Sequence, residues 1–373
     1  MLVPIAEATV DAYGGKAGGL GALIRAGLPV PDGVVVPDGA VADELGQWLH
    51  RMGNPLVAVR SSAANEDTAL SSAAGQHDSF LGVRGLAAVL DAVRACRASV
   101  WSPRAVAYRD GAEAPPMAVI VQLQVDADVS GVMFTGDDAT TIEACWGLGP
   151  SIVEGRVTPD RYEVADGRVT RTIADKRTAL TLTGTQQVPT ARRRSPTLSD
   201  ATAVRLATLA HQAAAALGAP QDLEWAIAAN TPWLLQSRPI TAQPPLPAPS
   251  PTTPASDTPA TLGTACGTSD IFSGTPGSRG TATGPARVVR GPADFAHVRP
   301  GDILVCPFTD PAWTPLLSIA AGVITEQGGV LSHAAIVARE HQIPAVLAVP
   351  DATRRIPDGA RVTVNGTTGQ IQV

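Results

Sequence analysis

From Ala242 to Thr261 the chain runs AQPPLPAPSPTTPASDTPAT, with Leu246 its one large apolar residue. Such a stretch cannot bury a core, and its prolines hold it extended, so it reads as a semi-rigid tether. This one feature rules out a single continuous core over the 373 residues. It leaves a body of about 240 residues and a tail of about 100, each close to an ordinary domain in size. The expected division is a body over 1–241, a linker over 242–270 and a tail over 271–373. A tether of this kind lets one unit move against the other.

Composition narrows the class. A net charge of −6 gives no electrostatic footprint for nucleic acid or an anionic membrane surface. Any phosphate-bearing ligand must therefore be held by a local site. Four separated cysteines, Cys96, Cys145, Cys266 and Cys306, form no CxxC pair and suggest neither a zinc site nor a disulfide framework. The opening Met1-Leu2-Val3-Pro4 lacks the basic head and apolar run of a signal peptide. No stretch approaches the roughly 20 apolar residues that span a bilayer. The expectation is a cytoplasmic protein with no membrane and no nucleic-acid partner. Basic charge is carried almost wholly by arginine, Lys16 and Lys176 being the only lysines.

The patterning predicts mixed α/β units. In the body, GGKAGGLGALIRAG reads as a Gly-rich turn into a helix that ends at Gly27. Helices are expected over 86–96 and 201–217, the second capped by Ser199 or Asp200. Strands are expected over 34–37, 56–60, 117–125, 131–135, 141–146 and 232–237. In the tail, strands are expected over 286–289, 302–306, 322–325 and 361–364, with helices over 313–321 and 332–341.

The sharpest segment of the tail is GGVLSHAAIVARE, Gly328 to Glu340. Two glycines break a strand, Ser332 is a good N-cap, and a helix follows at once. His333 then sits in the first turn, where free N–H groups and the helix dipole favour an anion. A neutral imidazole there can act as a nucleophile whose phosphorylated product the same donors stabilise. His341, just before Ile343-Pro344, is better placed as a C-terminal cap. His50, His77, His211 and His297 have no partner motif.

The body carries matching chemistry. Gly14-Gly15-Lys16 lets the backbone approach phosphate closely and adds a point charge. Arg60 ends an apolar strand and is followed by SSAANEDTALSSAAGQ, small enough to lie over a triphosphate as a lid. Alternation in DLEWA and WLLQSRPI lets two neighbouring strands present Glu224 and Gln236 together. A carboxylate and an amide oxygen suit Mg²⁺, with nucleotide phosphates and water completing the shell. Arg238 can clamp a terminal phosphate and stabilise transferring charge.

Taken whole, the tail from about Gly274 to Val373 resembles the mobile phosphohistidine domain of phosphoenolpyruvate synthase and pyruvate phosphate dikinase. The body is similar to the ATP-grasp domain of the same family, through GGKAGGLGAL, VAVRSSAANED, AGQHDSFLGV, SGVMFT, ACWGLG, DLEWA and QSRPIT. The fold class implied is α/β (α+β), an ATP-grasp domain followed by a compact swivelling β/α phosphohistidine domain. The resemblance makes His333 the phosphocarrier and Arg238 its catalytic partner. Lys16, Arg60 and Arg238 would contact the phosphates, Glu224 and Gln236 would bind Mg²⁺, and the Gln122 to Val125 hinge would hold adenine. ATP would end as AMP and phosphate, as in a dikinase.

Departures accompany the match. Only about 20 residues separate Val36 from Val57, where the family has a longer helical stretch. Pro150 stands where GLGE is common, and Asn365-Gly366 replaces a common Asp-Gly in the closing hairpin. No pyruvate barrel follows Val373, and only the tether lies where rifampin phosphotransferase inserts its drug-binding domain. These departures argue against pyruvate. They favour a small-molecule amine or hydroxyl acceptor, as in specialised metabolism or antibiotic modification. A carrier serving a separate substrate-binding protein, or a non-catalytic nucleotide-binding module, are the alternatives.

Overall fold

The computed structural model describes residues 1–37, 42–63, 78–102, 105–106, 113–136, 138–240 and 271–373. The tether at 242–270, most of the stretch expected to form a lid, His77 and Cys266 lie outside the described residues. Two compact units are present. The first comprises Met1–Gln243 with the short segments Asp310–Pro315 and Leu331–His333, and the second the rest of the described tail.

The first unit is built on two antiparallel sheets. Five strands lie in the order Val3–Pro4, Gly33–Val36, Met117–Leu123, Val57–Ala63, Ser79–Val83. Val57, Val59, Val119 and Val121 pack there against Leu45, Trp48 and Leu49 of helix Ala42–Arg51 and Val89 and Val93 of helix Leu86–Ala98. The first of these helices was not foreseen, although Leu45, Trp48 and Leu49 fall at the spacing of one helical face. It is short, and its sequence is otherwise polar.

Six strands form the other sheet, in the order Thr231–Pro239, Gln221–Ala228, Val129–Thr135, Thr140–Trp146, Asp160–Ala165, Arg168–Thr172. Period-2 alternation gives it an apolar and a polar face. Met133, Ile142, Tyr162, Leu223 and Trp225 form a core with Leu206 and Ala210 of helix Asp200–Leu217. Ser199 caps that helix by accepting the Thr202 N–H. Gly131 makes room for Trp225, since a Cβ at that position would lie 2.6 Å from the indole ring. The ribbon Thr178–Thr181 with Gly184–Gln187 was missed, its residues being mostly polar and none of them buried.

Lys176 and Asp160 form an ion pair whose side chains are both fully buried. Asp160 also accepts from the Ala174 N–H, the Thr197 N–H and Thr197 Oγ1, at 2.9, 2.9 and 3.0 Å. Such a charge is tolerated because its lone pairs are satisfied. The other lysine, Lys16, is buried as well.

The second unit carries a mixed eight-stranded sheet. Thr281–Val288, Ile303–Cys306, Gly322–Thr325 and Ala345–Leu347 run parallel at its centre. Antiparallel strands extend it on one side through Arg361–Asn365, Gln370–Gln372 and Ile271–Ser273, and on the other through Thr275–Ser278. Ile303, Val305, Ile324, Val346, Val362 and Val364 are at its core.

Two expectations are corrected here. The helix expected over 313–321 is a 3₁₀ turn, Pro311–Trp313, followed by one turn of α-helix, Thr314–Leu317. Pro315 lies in the first turn, where proline is tolerated, and the chain leaves the helix at Leu317, the Ala321 N–H bonding the Asp302 carbonyl beyond it. Asn365-Gly366 is not a two-residue hairpin turn. Asn365 Oδ1 accepts the N–H groups of Thr367 and Thr368, each at 3.1 Å, and Gly369 takes the left-handed conformation (φ 76°). Gly366 is required by crowding, because a Cβ there would lie 1.8 Å from the Ser278 carbonyl oxygen.

Candidate nucleotide and phosphohistidine sites

The polar face of the six-stranded sheet gathers the expected body residues in rows. Glu224 is directly opposite Gln236, and Asp222 is directly opposite Arg238. Through Val132 the first row continues to Glu143 and Arg161, and through Phe134 the second continues to Thr141 and Glu163. Arg238 Nε donates to Asp222 Oδ2 at 2.6 Å, and both side chains are nearly buried. Asp222 has no role that its sequence motif alone assigns, yet it orients the arginine. Glu143 is buried as well. Its position could have been found by following the sheet row, which needs the register and not the sequence alone.

Arg60 reaches this face from the neighbouring sheet. Its Nη2 lies 3.1 Å from Glu224 Oε2 and 2.6 Å from Gln236 Oε1, and its Nη1 donates to the Leu235 carbonyl. That carbonyl is available for a reason. The pairing of Gln221–Ala228 with Thr231–Pro239 shifts register between Glu224 and Trp225, and Leu235 is the extra residue. A bulge leaves its extra residue outside the ladder. Two oxygens therefore already converge on one cationic nitrogen. Such a donor set, all oxygen, fits a hard divalent ion such as Mg²⁺. Among the described residues no cluster of three or more His, Cys, Asp or Glu residues forms a different metal site.

The Gly-rich turn is anchored beside the Arg60 strand. Helix Val10–Arg25 is broken at Gly14 (φ 83°, ψ 170°), so its second part begins at Gly15 and Lys16. A Cβ on Gly14 would lie 2.5 Å from the Ala63 carbonyl oxygen. Ser62 Oγ accepts the Ala17 N–H at 3.0 Å and donates to the Tyr13 carbonyl at 2.6 Å, capping the restarted helix from another strand. This places Lys16 in a helical first turn and explains why Ser follows Arg60-Ser61 in the motif.

The expected adenine hinge looks different in detail. Gln122 is a buried strand residue whose Nε2 donates to the Pro31 carbonyl at 2.9 Å. The strand ends at Leu123, and the Val125 carbonyl accepts from Gln124 Nε2 at 2.8 Å. The side chain of Gln122 ties its strand to the segment that leads into Gly33–Val36.

His333 opens helix His333–Glu340. It is buried, and burial pushes its imidazole down to about pKa 3, so the ring is neutral. Thr314 Oγ1 stands 3.3 Å from His333 Nε2. Arg339 Nη1 donates to the carbonyls of Val330 and Gly277, at 2.8 and 2.9 Å, fixing the glycine loop against the helix. At the far end the N–H of Gln342 bonds the Arg339 carbonyl and that of Ile343 bonds the Ala338 carbonyl. That pair is a Schellman motif, with Gln342 left-handed (φ 56°) where glycine is usual. His341 stands at the capping position, exposed.

Comparison with known proteins agrees with these two halves. The AMP/ATP-binding domain of pyruvate phosphate dikinase matches residues 39–253, more than half of the chain, and the mobile domain of PEP-utilising enzymes matches 298–369. Lys16 precedes the first match and His333 falls within the second. The body is thus an ATP-grasp nucleotide-binding domain, and the tail is of the phosphohistidine type. A probable phosphoenolpyruvate synthase of Methanothermobacter thermautotrophicus is 36% identical over 84% of this chain and 46% of its own. Phosphoenolpyruvate synthases of Aeropyrum pernix and Escherichia coli are 31% and 35% identical, over 98% and 85% of this chain and 57% and 43% of theirs. The chain belongs to the phosphoenolpyruvate synthase and pyruvate phosphate dikinase family of ATP-dependent, Mg²⁺-using phosphotransferases. It spans about half the length of the curated relatives it matches. None of those names carries an amine or alcohol acceptor, against the sequence expectation. No helix among the described residues is long and apolar enough to cross a membrane.

Proposed function

We propose that this chain transfers a phosphoryl group from Mg-ATP to a ring nitrogen of His333 and then passes it to pyruvate. The observation that carries the reading is His333 itself, a neutral imidazole opening a helix in a domain matched to PEP-utilising enzymes. Neutrality leaves a lone pair for attack, and the helix N-terminus favours the anion formed. On the body, Glu224 and Gln236 hold Mg²⁺, which neutralises phosphate charge, while Arg60, Arg238 and Lys16 bind the phosphate oxygens. Asp222 keeps Arg238 oriented. The domain division is 1–241 for nucleotide, 242–270 for the tether and 271–373 for the phosphohistidine domain, and the use of ATP goes with a cytoplasmic location.

Pyruvate is the acceptor because the relatives are named for phosphoenolpyruvate and pyruvate phosphate dikinase. The experiment follows label from ATP labelled at the β or the γ position. The reading predicts AMP as nucleotide product, label retained on protein from one position only, and discharge of that label by pyruvate as phosphoenolpyruvate. ADP as product would contradict the dikinase step. Discharge by amines or alcohols but not by pyruvate would restore the acceptor expected from the sequence, and discharge that needs a second protein would restore the carrier.

A further inference from the structure

Arg60 is bonded to the two oxygens that would hold the metal, and this has a chemical consequence. An Mg²⁺ ion requires oxygen distances of about 2.1 Å and near-octahedral geometry. Arg60 Nη2 already lies 2.6 Å from Gln236 Oε1 and 3.1 Å from Glu224 Oε2. A divalent ion on both oxygens would sit against the guanidinium, two like charges in van der Waals contact. Both cannot occupy the site.

We infer that Arg60 is a placeholder cation, competing with the divalent metal for Glu224 and Gln236 until the metal arrives with nucleotide. This rests on the nucleotide-site reading above and adds an order of events to it. Two side-chain oxygens alone satisfy only part of an Mg²⁺ shell, and Arg60 offsets the Glu224 charge without a metal. A triphosphate changes the balance twice. Its oxygens complete the metal's coordination, and its negative charge gives the five N–H donors of Arg60 a better acceptor. The Leu235 carbonyl, set out of the ladder by the bulge, keeps the guanidinium stem tied to the strand while Nη2 is released. Arg60 therefore passes from metal ligands to phosphate, and free metal is kept off the site.

The test is a titration of the full-length protein with Mn²⁺, read by electron paramagnetic resonance without nucleotide. Arg60→Met removes the competing charge and is expected to raise Mn²⁺ affinity by about tenfold or more, the equivalent of the charge-assisted bonds lost. Adding Glu224→Gln to that variant should abolish the gain. Equal Mn²⁺ affinity in native protein and Arg60→Met overturns the placeholder role. Should Arg60→Met fold poorly, Arg60→Gln, also uncharged but with a polar end, is the second variant. Labelling of the native protein by Mg-ATP is measured alongside. Labelling with unchanged Mn²⁺ affinities would sink only the placeholder, whereas absence of labelling would sink the nucleotide-site reading.

Discussion

Arg238 illustrates how much a single neighbour decides. Its guanidinium is nearly buried, and the Asp222 carboxylate opposite fixes its direction while sharing its charge. Arg238→Met should slow self-phosphorylation by about 10²–10³, as expected for losing a preorganised donor to developing charge. Asp222→Asn leaves the arginine in place but loose, and should slow the same single-turnover rate by about tenfold. His333 gives a pH prediction. Its native pKa near 3 lies below the ordinary 6.5, so the neutral nucleophile persists throughout pH 5–8 and labelling should show no inflection near 6.5 from this group. The same shift makes the group's contribution to stability complete above pH 6.5 and progressively lost as pH falls from there toward about 3, because the unfolded chain takes up the proton first. A stopped-flow pH profile and denaturant midpoints from pH 4 to 8 check both. The motifs in which Arg238 and His333 stand were legible in the sequence. Asp222 as a partner was not, because opposition across two strands is a matter of register.

At the level of elements, turns and caps carry the precision. Gly14 breaks a helix in a left-handed conformation against the Ala63 carbonyl. Gly14→Ala should therefore cost about 1–3 kcal/mol and weaken ATP binding, measured by urea denaturation and nucleotide titration. The opposite sign is expected at Gln342, a non-glycine residue in the left-handed position of the Schellman motif. Gln342→Gly should raise stability by up to about 1 kcal/mol, since the cost of that conformation to an L-residue exceeds the backbone entropy glycine adds. The strong apolar strands and the long helix Asp200–Leu217 were legible from period and capping. Helix Ala42–Arg51 and the ribbon over 178–187 were not, because both are short and mostly polar. The expected helix over 313–321 erred for the reverse reason: its apolar run suits a helix, but the chain leaves the helix at Leu317 and the Ala321 N–H bonds the Asp302 carbonyl instead.

Over the whole molecule, two compact units are present, and a boundary read from the tether does not account for Asp310–Pro315 and Leu331–His333, which fall with the first. Each unit has its own core, and the first depends on an ion pair that no motif announced. Lys176→Met would strand Asp160 as a buried charge and should destabilise the first unit by about 3–5 kcal/mol, seen as a lowered thermal transition of that unit. On the function proposed above, the oxygen donors and arginines come from the body sequence and the phosphate-accepting histidine from the tail sequence. The most direct measurement is to incubate the protein with Mg-ATP, digest it under alkaline conditions that preserve phosphohistidine, and locate the phosphate by mass spectrometry. The account predicts phosphate on His333 and none on the protein after His333→Ala. Phosphate on any other residue, or retained by the His333→Ala variant, would contradict it.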